Sequence, residues 1–258
     1  MTSLGHDHYC GELLLQTALF RETLVGADLA ATVPTCPEWS LGELVRHVGR
    51  AHRWAGAIVR TRATEAVPPA QVPDSAGPAD GDPAALDAWL AAGAQRLAAT
   101  LRASGPDAGV WSWAADQRAG FWARRMVHET VIHRADAALT AGVPFEVAAE
   151  TAADAVDEWL EILAFAQASG DKDVAELRGA GRSVHLHATD ADAAEWLIEF
   201  GDDGFTWRRG HEKATVALRG PLTDVLQVFY RRLPAGSARV EVLGDRALLD
   251  FWLERASF

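Results

Sequence analysis

Cysteine and positive charge are both scarce in this chain of 258 residues, and each shortage excludes a class of protein. The two cysteines, Cys10 and Cys36, form no CxxC or Cys/His finger spacing, so neither a disulfide framework nor a cysteine-bound structural zinc site is encoded. The 36 acidic side chains outnumber the 24 basic ones, and the net charge is −12. Because phosphate backbones and anionic membranes are held by Lys and Arg, we expect neither nucleic acid nor a membrane as a partner.

Long apolar runs are missing as well. Charged side chains interrupt every apolar run before it reaches the roughly 18 residues that a membrane span requires. The first eight residues have neither the basic start nor the apolar stretch of a secretory signal. We therefore expect a cytoplasmic protein.

Helical periodicity dominates the first two thirds of the sequence. The S-x-x-E pattern at Ser40–Glu43 has the form of a capping box and predicts the start of the second helix. An Ala-Gly-Val-Pro sequence after Thr140 predicts the end of the fourth. Five helices are predicted here, at residues 9–30, from 40 onward, 83–103, 118–140 and 146–167.

The periodicity changes to short alternating strands after about residue 170. Strands are predicted around residues 184–186, 196–200, 205–207, 215–218 and 239–243, with helices at 221–232 and 245–255. The predicted fold class is therefore α+β. An up-down helical bundle in residues 1–170 precedes a small α+β domain with a short antiparallel sheet in residues 171–258.

The fourth helix carries polar groups along one stripe. Steps of three and four residues place the following side chains on a single face: Trp122, Met126, Glu129, His133, Asp136 and Thr140. A carboxylate and an imidazole one turn apart on an inward face must be paired, hydrogen-bonded or bound to a metal, since burying them alone is costly. His47, on the buried edge of the second helix, is the candidate third ligand.

Two interpretations of these residues follow from spacing alone. In one, Glu129 and His133 form an ordinary hydrogen bond within the helix and His47 is a core histidine. In the other, two histidines and one carboxylate hold a catalytic zinc with an open position, or a non-haem iron.

Two stretches of sequence resemble the mycothiol-dependent maleylpyruvate isomerase family. These are VPTCPEWSLGELVRH at residues 33–47 and FWARRMVHETVIHRAD at residues 121–136. The resemblance implies a DinB-like four-helix bundle that binds zinc, or another divalent metal, through His47, Glu129 and His133. It also implies mycothiol as the thiol cofactor and an electrophilic small molecule as the substrate, in a monomer or homodimer.

The activity implied by this resemblance is that of a metal-dependent and mycothiol-dependent isomerase or S-transferase. The thiol, activated as a metal thiolate, would add to an electrophilic carbon, either for cis-trans isomerisation of the maleylpyruvate type or for transfer of the thiol. The alternative is a non-catalytic, metal-stabilised protein that binds a small ligand.

Other residues are assigned to the predicted site with competing roles. Asp136 either orients a metal ligand or pairs with a neighbouring arginine. Arg231 or Arg232 either binds a carboxylate of the substrate or is a solvated cation at a helix end. Most of the nearby tryptophans are expected in the core, and one or two could line a ligand cleft: Trp39, Trp54, Trp111, Trp113 and Trp122.

Overall fold

The computed structural model describes residues 4–79 and 82–256, and its contacts divide the chain into two compact units, residues 1–145 and 146–258. The sequence analysis placed the domain boundary at residue 170 instead. The difference concerns one helix, α5 (Ala149–Ala168), which packs against elements of the second unit. Within the described ranges, no helix is both long enough and apolar enough to cross a membrane.

Among the described residues, four α-helices build the first unit, as the periodicity predicts. They are α1 (His6–Thr23), α2 (Leu41–Thr61), α3 (Pro83–Ser104) and α4 (Ala119–Ala141). Helices α1 and α2 each pack against both α3 and α4. The predicted helical bundle is therefore confirmed.

The ends of α2 and α4 follow from local chemistry. The Ser40 hydroxyl accepts a hydrogen bond from the Glu43 N–H, and the Glu43 carboxylate accepts one from the Ser40 N–H, so the predicted capping box is present. Helix α4 ends at Gly142, whose φ of 68° lies in the left-handed region that glycine adopts without strain. These signals determine where α2 begins and where α4 ends.

A small hairpin between α1 and α2 was not predicted. Strand β1 (Thr32–Val33) pairs antiparallel with β2 (Cys36–Ser40), where the sequence predicted only the end of a longer first helix. Helix α1 stops at Thr23 because the chain turns at Gly26, with φ of 77°. The hairpin then leads directly into Ser40, the N-cap of α2.

The second unit combines three helices with a mixed sheet. Strands β3 (Arg182–Ala188), β4 (Glu195–Phe200), β5 (Phe205–Arg209), β6 (Val216–Gly220) and β7 (Glu241–Gly244) lie in the order β5-β4-β3-β6-β7. The α+β class is confirmed, but the sheet is not purely antiparallel, because β3 and β6 run parallel. A parallel pair needs a crossover connection, and here β4 and β5 fill the interval between the two strands.

Alternate residues of the sheet enter a core that α5, α6 (Leu222–Phe229) and α7 (Arg246–Arg255) cover. Trp252 of α7 is fully buried there. Its ring centroid lies 5.1 Å from Phe205, 6.0 Å from Phe200 and 6.4 Å from Phe229. One tryptophan thus joins two strands and α6 to α7.

Candidate metal centre

The three predicted ligands meet between α2 and α4. Glu129 Oε1 lies 2.9 Å from His47 Nε2 and 3.3 Å from His133 Nε2. One ligand atom from each residue lies within 4.8 Å of the other two. The helical stripe and the distant histidine are therefore brought together as the spacing predicts.

This cluster is partly open to solvent. The side chain of His133 is 9% exposed, whereas those of Glu129 and His47 are 23% and 33% exposed. Two imidazoles and one carboxylate leave at least one position of a tetrahedral ion without a protein ligand. The donor set fits a zinc-type ion that a small molecule can reach.

Asp136 holds His133 in place. Its Oδ2 accepts a hydrogen bond from His133 Nδ1 at 2.8 Å, and its Oδ1 accepts one from the Thr35 hydroxyl at 2.5 Å. The Asp136 side chain is fully buried. His133 Nε2, on the other side of the ring, faces Glu129. A histidine whose second ring nitrogen is held by a carboxylate is typical of metal ligands.

His133 and Glu129 strongly shift each other's pKa. Burial lowers the pKa of His133, but its bonds to Asp136 and Glu129 outweigh burial and raise that pKa to about 9. Burial raises the pKa of Glu129, yet the hydrogen bonds from His133 and His47 and the charges of His133 and Arg125 bring it well below its usual value. Arg125 Nη2 lies 3.6 Å from Glu129 Oε2. In the metal-free protein Glu129 is therefore ionised and His133 protonated at neutral pH, so a metal ion that binds through His133 must displace a proton from it.

Trp39, at the end of the hairpin, covers the histidines. Its ring centroid lies 4.7 Å from that of His47 and 6.3 Å from that of His133. The other tryptophans form aromatic contacts instead: Trp54, Trp111 and Trp122 pack on one another, and Trp113 packs on Phe121. Within the described residues, Trp39 is thus the tryptophan whose ring contacts both candidate ligand histidines.

Thr35 and Arg125 were not assigned to the site from the sequence. Arg125 lies one helical turn before Glu129, so the i, i+4 spacing was an available signal. Thr35 reaches Asp136 from a turn 101 residues earlier in the chain, and no local pattern encodes such a contact.

Arg231 lies in the second unit, in the turn that follows α6. Its φ of 62° lies in the left-handed region, which is uncommon for a residue with a side chain. The cluster of His47, Glu129 and His133 is built from the first unit alone. The assignment of Arg231 to substrate binding stays a prediction.

The Asp136→Asn variant tests how the buried carboxylate supports His133. We expect metal affinity to fall by about 10- to 100-fold, because an uncharged partner lowers the basicity of the imidazole and fixes its orientation less well. Competition with a chelator of known affinity measures the change. Asp107→Asn, at a side chain that is 84% exposed, is the matched control and should leave affinity unchanged. Equal affinities for Asp136→Asn and the parent protein would show that Asp136 has no such role.

Two family models match the chain. Residues 11–138 match the mycothiol maleylpyruvate isomerase N-terminal domain, and residues 150–251 match the MDMPI C-terminal domain. Among curated proteins, no sequence match is found.

Two crystal structures of mycothiol-dependent maleylpyruvate isomerase have a similar fold, one of them a histidine-to-alanine mutant. The mutant superposes with a TM-score of 0.58 and the other structure with 0.56, each at 18% sequence identity. Each similarity covers 94% of this chain and 95% of the other. With both family domains matched in order, the chain belongs to the mycothiol-dependent maleylpyruvate isomerase family.

Proposed function

We propose that this chain is a metal-dependent and mycothiol-dependent enzyme that directs a small thiol at an electrophilic carbon. Family membership supports the thiol and the isomerase class. The observation that carries the metal is the convergence of His47, Glu129 and His133 on one partly exposed position. Zinc is the metal proposed, because two imidazoles and a carboxylate with an open position are typical of catalytic zinc.

The residues of the proposed site have different roles. His47, Glu129 and His133 hold the ion, and Asp136 fixes the orientation of the His133 ring. Arg125, 5% exposed, compensates part of the charge of Glu129. When bound, the ion supplies the positive charge that lowers the pKa of a thiol from about 8.5, so that the thiolate is present at neutral pH.

With mycothiol bound, the thiolate would supply a nucleophile for a carbon–carbon double bond of the substrate. A C–S bond would form, the double bond would become single, and the electron pair would move onto the adjoining carbonyl group. Rotation about the single bond and loss of the same thiolate would return the isomerised double bond. Uptake of a proton before the C–S bond breaks would instead give a thioether, and the reaction would be an S-transfer.

Arg231 is proposed to bind a carboxylate of the substrate. A guanidinium offers two parallel N–H donors to a carboxylate, which suits an anionic substrate of the maleylpyruvate type. Shortening this side chain should raise KM while leaving the metal content unchanged. We propose the cytoplasm as the compartment in which the enzyme works.

Cobalt substitution tests the thiol directly. We expect mycothiol, added to the cobalt-loaded protein, to produce a sulfur-to-cobalt charge-transfer absorption, because the thiol occupies the open position as a thiolate. S-methyl mycothiol, which cannot form a thiolate, is the matched control ligand and should give no such band. A cobalt-loaded protein whose spectrum stays unchanged at millimolar mycothiol would contradict the proposed role of the thiol.

Turnover assays separate the two reactions. Maleylpyruvate and a panel of electrophiles are each incubated with the protein, with and without mycothiol, and the product mass is measured. An isomer retains the substrate mass, whereas a thioether also contains the thiol. No turnover of any electrophile by the metal-loaded protein would favour the non-catalytic binding protein. Turnover that is independent of thiol would contradict the proposed role of mycothiol.

A further inference from the structure

Three histidines and a glutamate converge in the second unit, and none of the four has a role in the proposed function. His185 and His187 lie two positions apart on β3, so both side chains are on the same face of the sheet. Glu195 of β4 pairs directly with His187 in the antiparallel register. The other face of β3 contributes Val184 and Leu186 to the core.

His211 completes this cluster from the connection between β5 and β6. The Gly210 N–H donates a hydrogen bond to the Glu195 carbonyl at 3.1 Å, which holds the connection beside the start of β4. His211 Nδ1 then lies 2.5 Å from Glu195 Oε2. The same oxygen lies 2.9 Å from His185 Nε2 and 2.9 Å from His187 Nδ1.

The three imidazole rings surround the carboxylate almost symmetrically. Their centroids are separated by 5.5 Å for His185 and His187, 5.3 Å for His185 and His211, and 5.4 Å for His187 and His211. One ligand atom from each of the four residues lies within 4.8 Å of the others. Each ring therefore presents a nitrogen to one common point.

Hydrogen bonding does not account for all of these nitrogens. The side chain of His185 is only 6% exposed, and within the described residues its Nε2 has no hydrogen-bond partner. The 2.9 Å approach to Glu195 Oε2 lacks the alignment of a hydrogen bond. A buried polar atom without a partner is destabilising, whereas coordination to a cation uses the same lone pair.

We infer that His185, His187, Glu195 and His211 form a second metal site, for a divalent transition ion of the zinc type. Three imidazoles and a carboxylate match the preference of zinc, cobalt and nickel for nitrogen, whereas calcium and magnesium take oxygen ligands. In a tetrahedral zinc site with bonds of about 2.0–2.1 Å, the ligand atoms are roughly 3.3 Å apart. To reach this spacing, Glu195 Oε2 has to withdraw from the three nitrogens by less than about 1 Å. The nitrogens, which lie within 4.8 Å of one another, have to approach each other by at most about 1.5 Å.

Four protein ligands close this site, in contrast to the centre in the first unit. A closed tetrahedral set is typical of structural zinc. The ion would fasten the connection at His211, whose side chain is 71% exposed, to strands β3 and β4. The ion would stabilise the folded second unit. This structural role is separate from the proposed enzymatic function.

Metal stoichiometry of the full-length protein tests the inference. After zinc loading and dialysis against metal-free buffer, elemental analysis should give two zinc ions per chain. His211→Ala and His187→Ala should each reduce this to one, as should Glu129→Gln in the first site, and the combined variant Glu129→Gln/His211→Ala should retain none. His6→Ala, a histidine outside both clusters, is the matched control and should retain both ions.

Thermal unfolding gives a second measurement that depends on this site alone. In Glu129→Gln, added zinc should raise the unfolding temperature, and in Glu129→Gln/His211→Ala it should not, because only a folded-state site stabilises the protein. The variant at exposed His211 is chosen because its replacement removes no buried group. A parent protein that retains one ion, lost in Glu129→Gln and unchanged in His211→Ala, would overturn the second site and leave the first intact.

Discussion

Glu129→Gln is expected to lose one bound metal ion per chain and to reduce any thiol-dependent activity at least about 100-fold. Replacing a residue that only supports a metal ligand already lowers metal affinity or activity by about 10- to 100-fold. Glu129 Oε1 lies between the two ligand histidines, at 2.9 Å from His47 Nε2 and 3.3 Å from His133 Nε2. A glutamine removes the negative charge and replaces one oxygen by an NH₂ group that cannot bind a cation. Elemental analysis and the mycothiol-dependent assay measure the two losses.

The control for this variant is Glu22→Gln, at an exposed glutamate of α1 in the same unit. It makes the same chemical change away from the centre and should retain both metal and activity. Circular dichroism should show the same helix content in both variants, because α4 keeps its backbone and its apolar contacts. Full metal occupancy in Glu129→Gln would end the assignment of this glutamate as a ligand.

Trp252→Ala is expected to reduce the free energy of unfolding by about 3–5 kcal/mol, the usual range for removing a large buried aromatic side chain. Trp252 is fully buried and contacts Phe200, Phe205 and Phe229. Its removal leaves a cavity between α7 and the sheet that these rings cannot fill. Denaturant titration of the metal-free protein measures the loss without a contribution from bound ions.

Two comparison variants separate cavity formation from the loss of a polar group. The Trp252 indole N–H has no hydrogen-bond partner within the described residues, so Trp252→Phe loses no hydrogen bond and should destabilise less than Trp252→Ala. Trp113 is 39% exposed, so Trp113→Ala should change the free energy of unfolding little. Equal losses for Trp113→Ala and Trp252→Ala would contradict the role of Trp252 in the core.

Local patterns account for what the sequence could predict. The capping box at Ser40 and the glycine at Gly142 are short-range signals, and the structure has both. The 3.6-residue period placed Glu129 and His133 on one face of α4, where they do meet. His47 could be added because its position on the buried edge of α2 was also periodic.

The features that the sequence could not predict depend on non-local pairings. Nothing in β3 specifies that it pairs parallel with β6, because either direction buries the same alternate residues. The hairpin of β1 and β2 is short, and its turn holds Thr35, whose partner Asp136 is on another element. Helix α5 has the same period as its predecessors, so periodicity cannot assign it to the second unit.

The second histidine cluster combines a local pattern, which the sequence reveals, with a non-local pairing, which it does not. The H-x-H pattern at His185 and His187 on an alternating strand was a visible signal for two ligands on one face. His211 joins them only through the order of β3, β4 and β5 in the sheet, which places the end of β5 beside the start of β4. The complete set of donors therefore depends on topology.

The separation of the first-unit ligands along the chain determines when the centre can form during protein synthesis. His47 precedes Glu129 by 82 residues, and Thr35 precedes Asp136 by 101. At a translation rate of about 5–20 residues per second, roughly 4–16 seconds pass between the synthesis of His47 and that of Glu129. A nascent chain that ends before α4 holds one of the three candidate ligands, so the proposed metal centre can form only after that helix has left the ribosome and packed against α2.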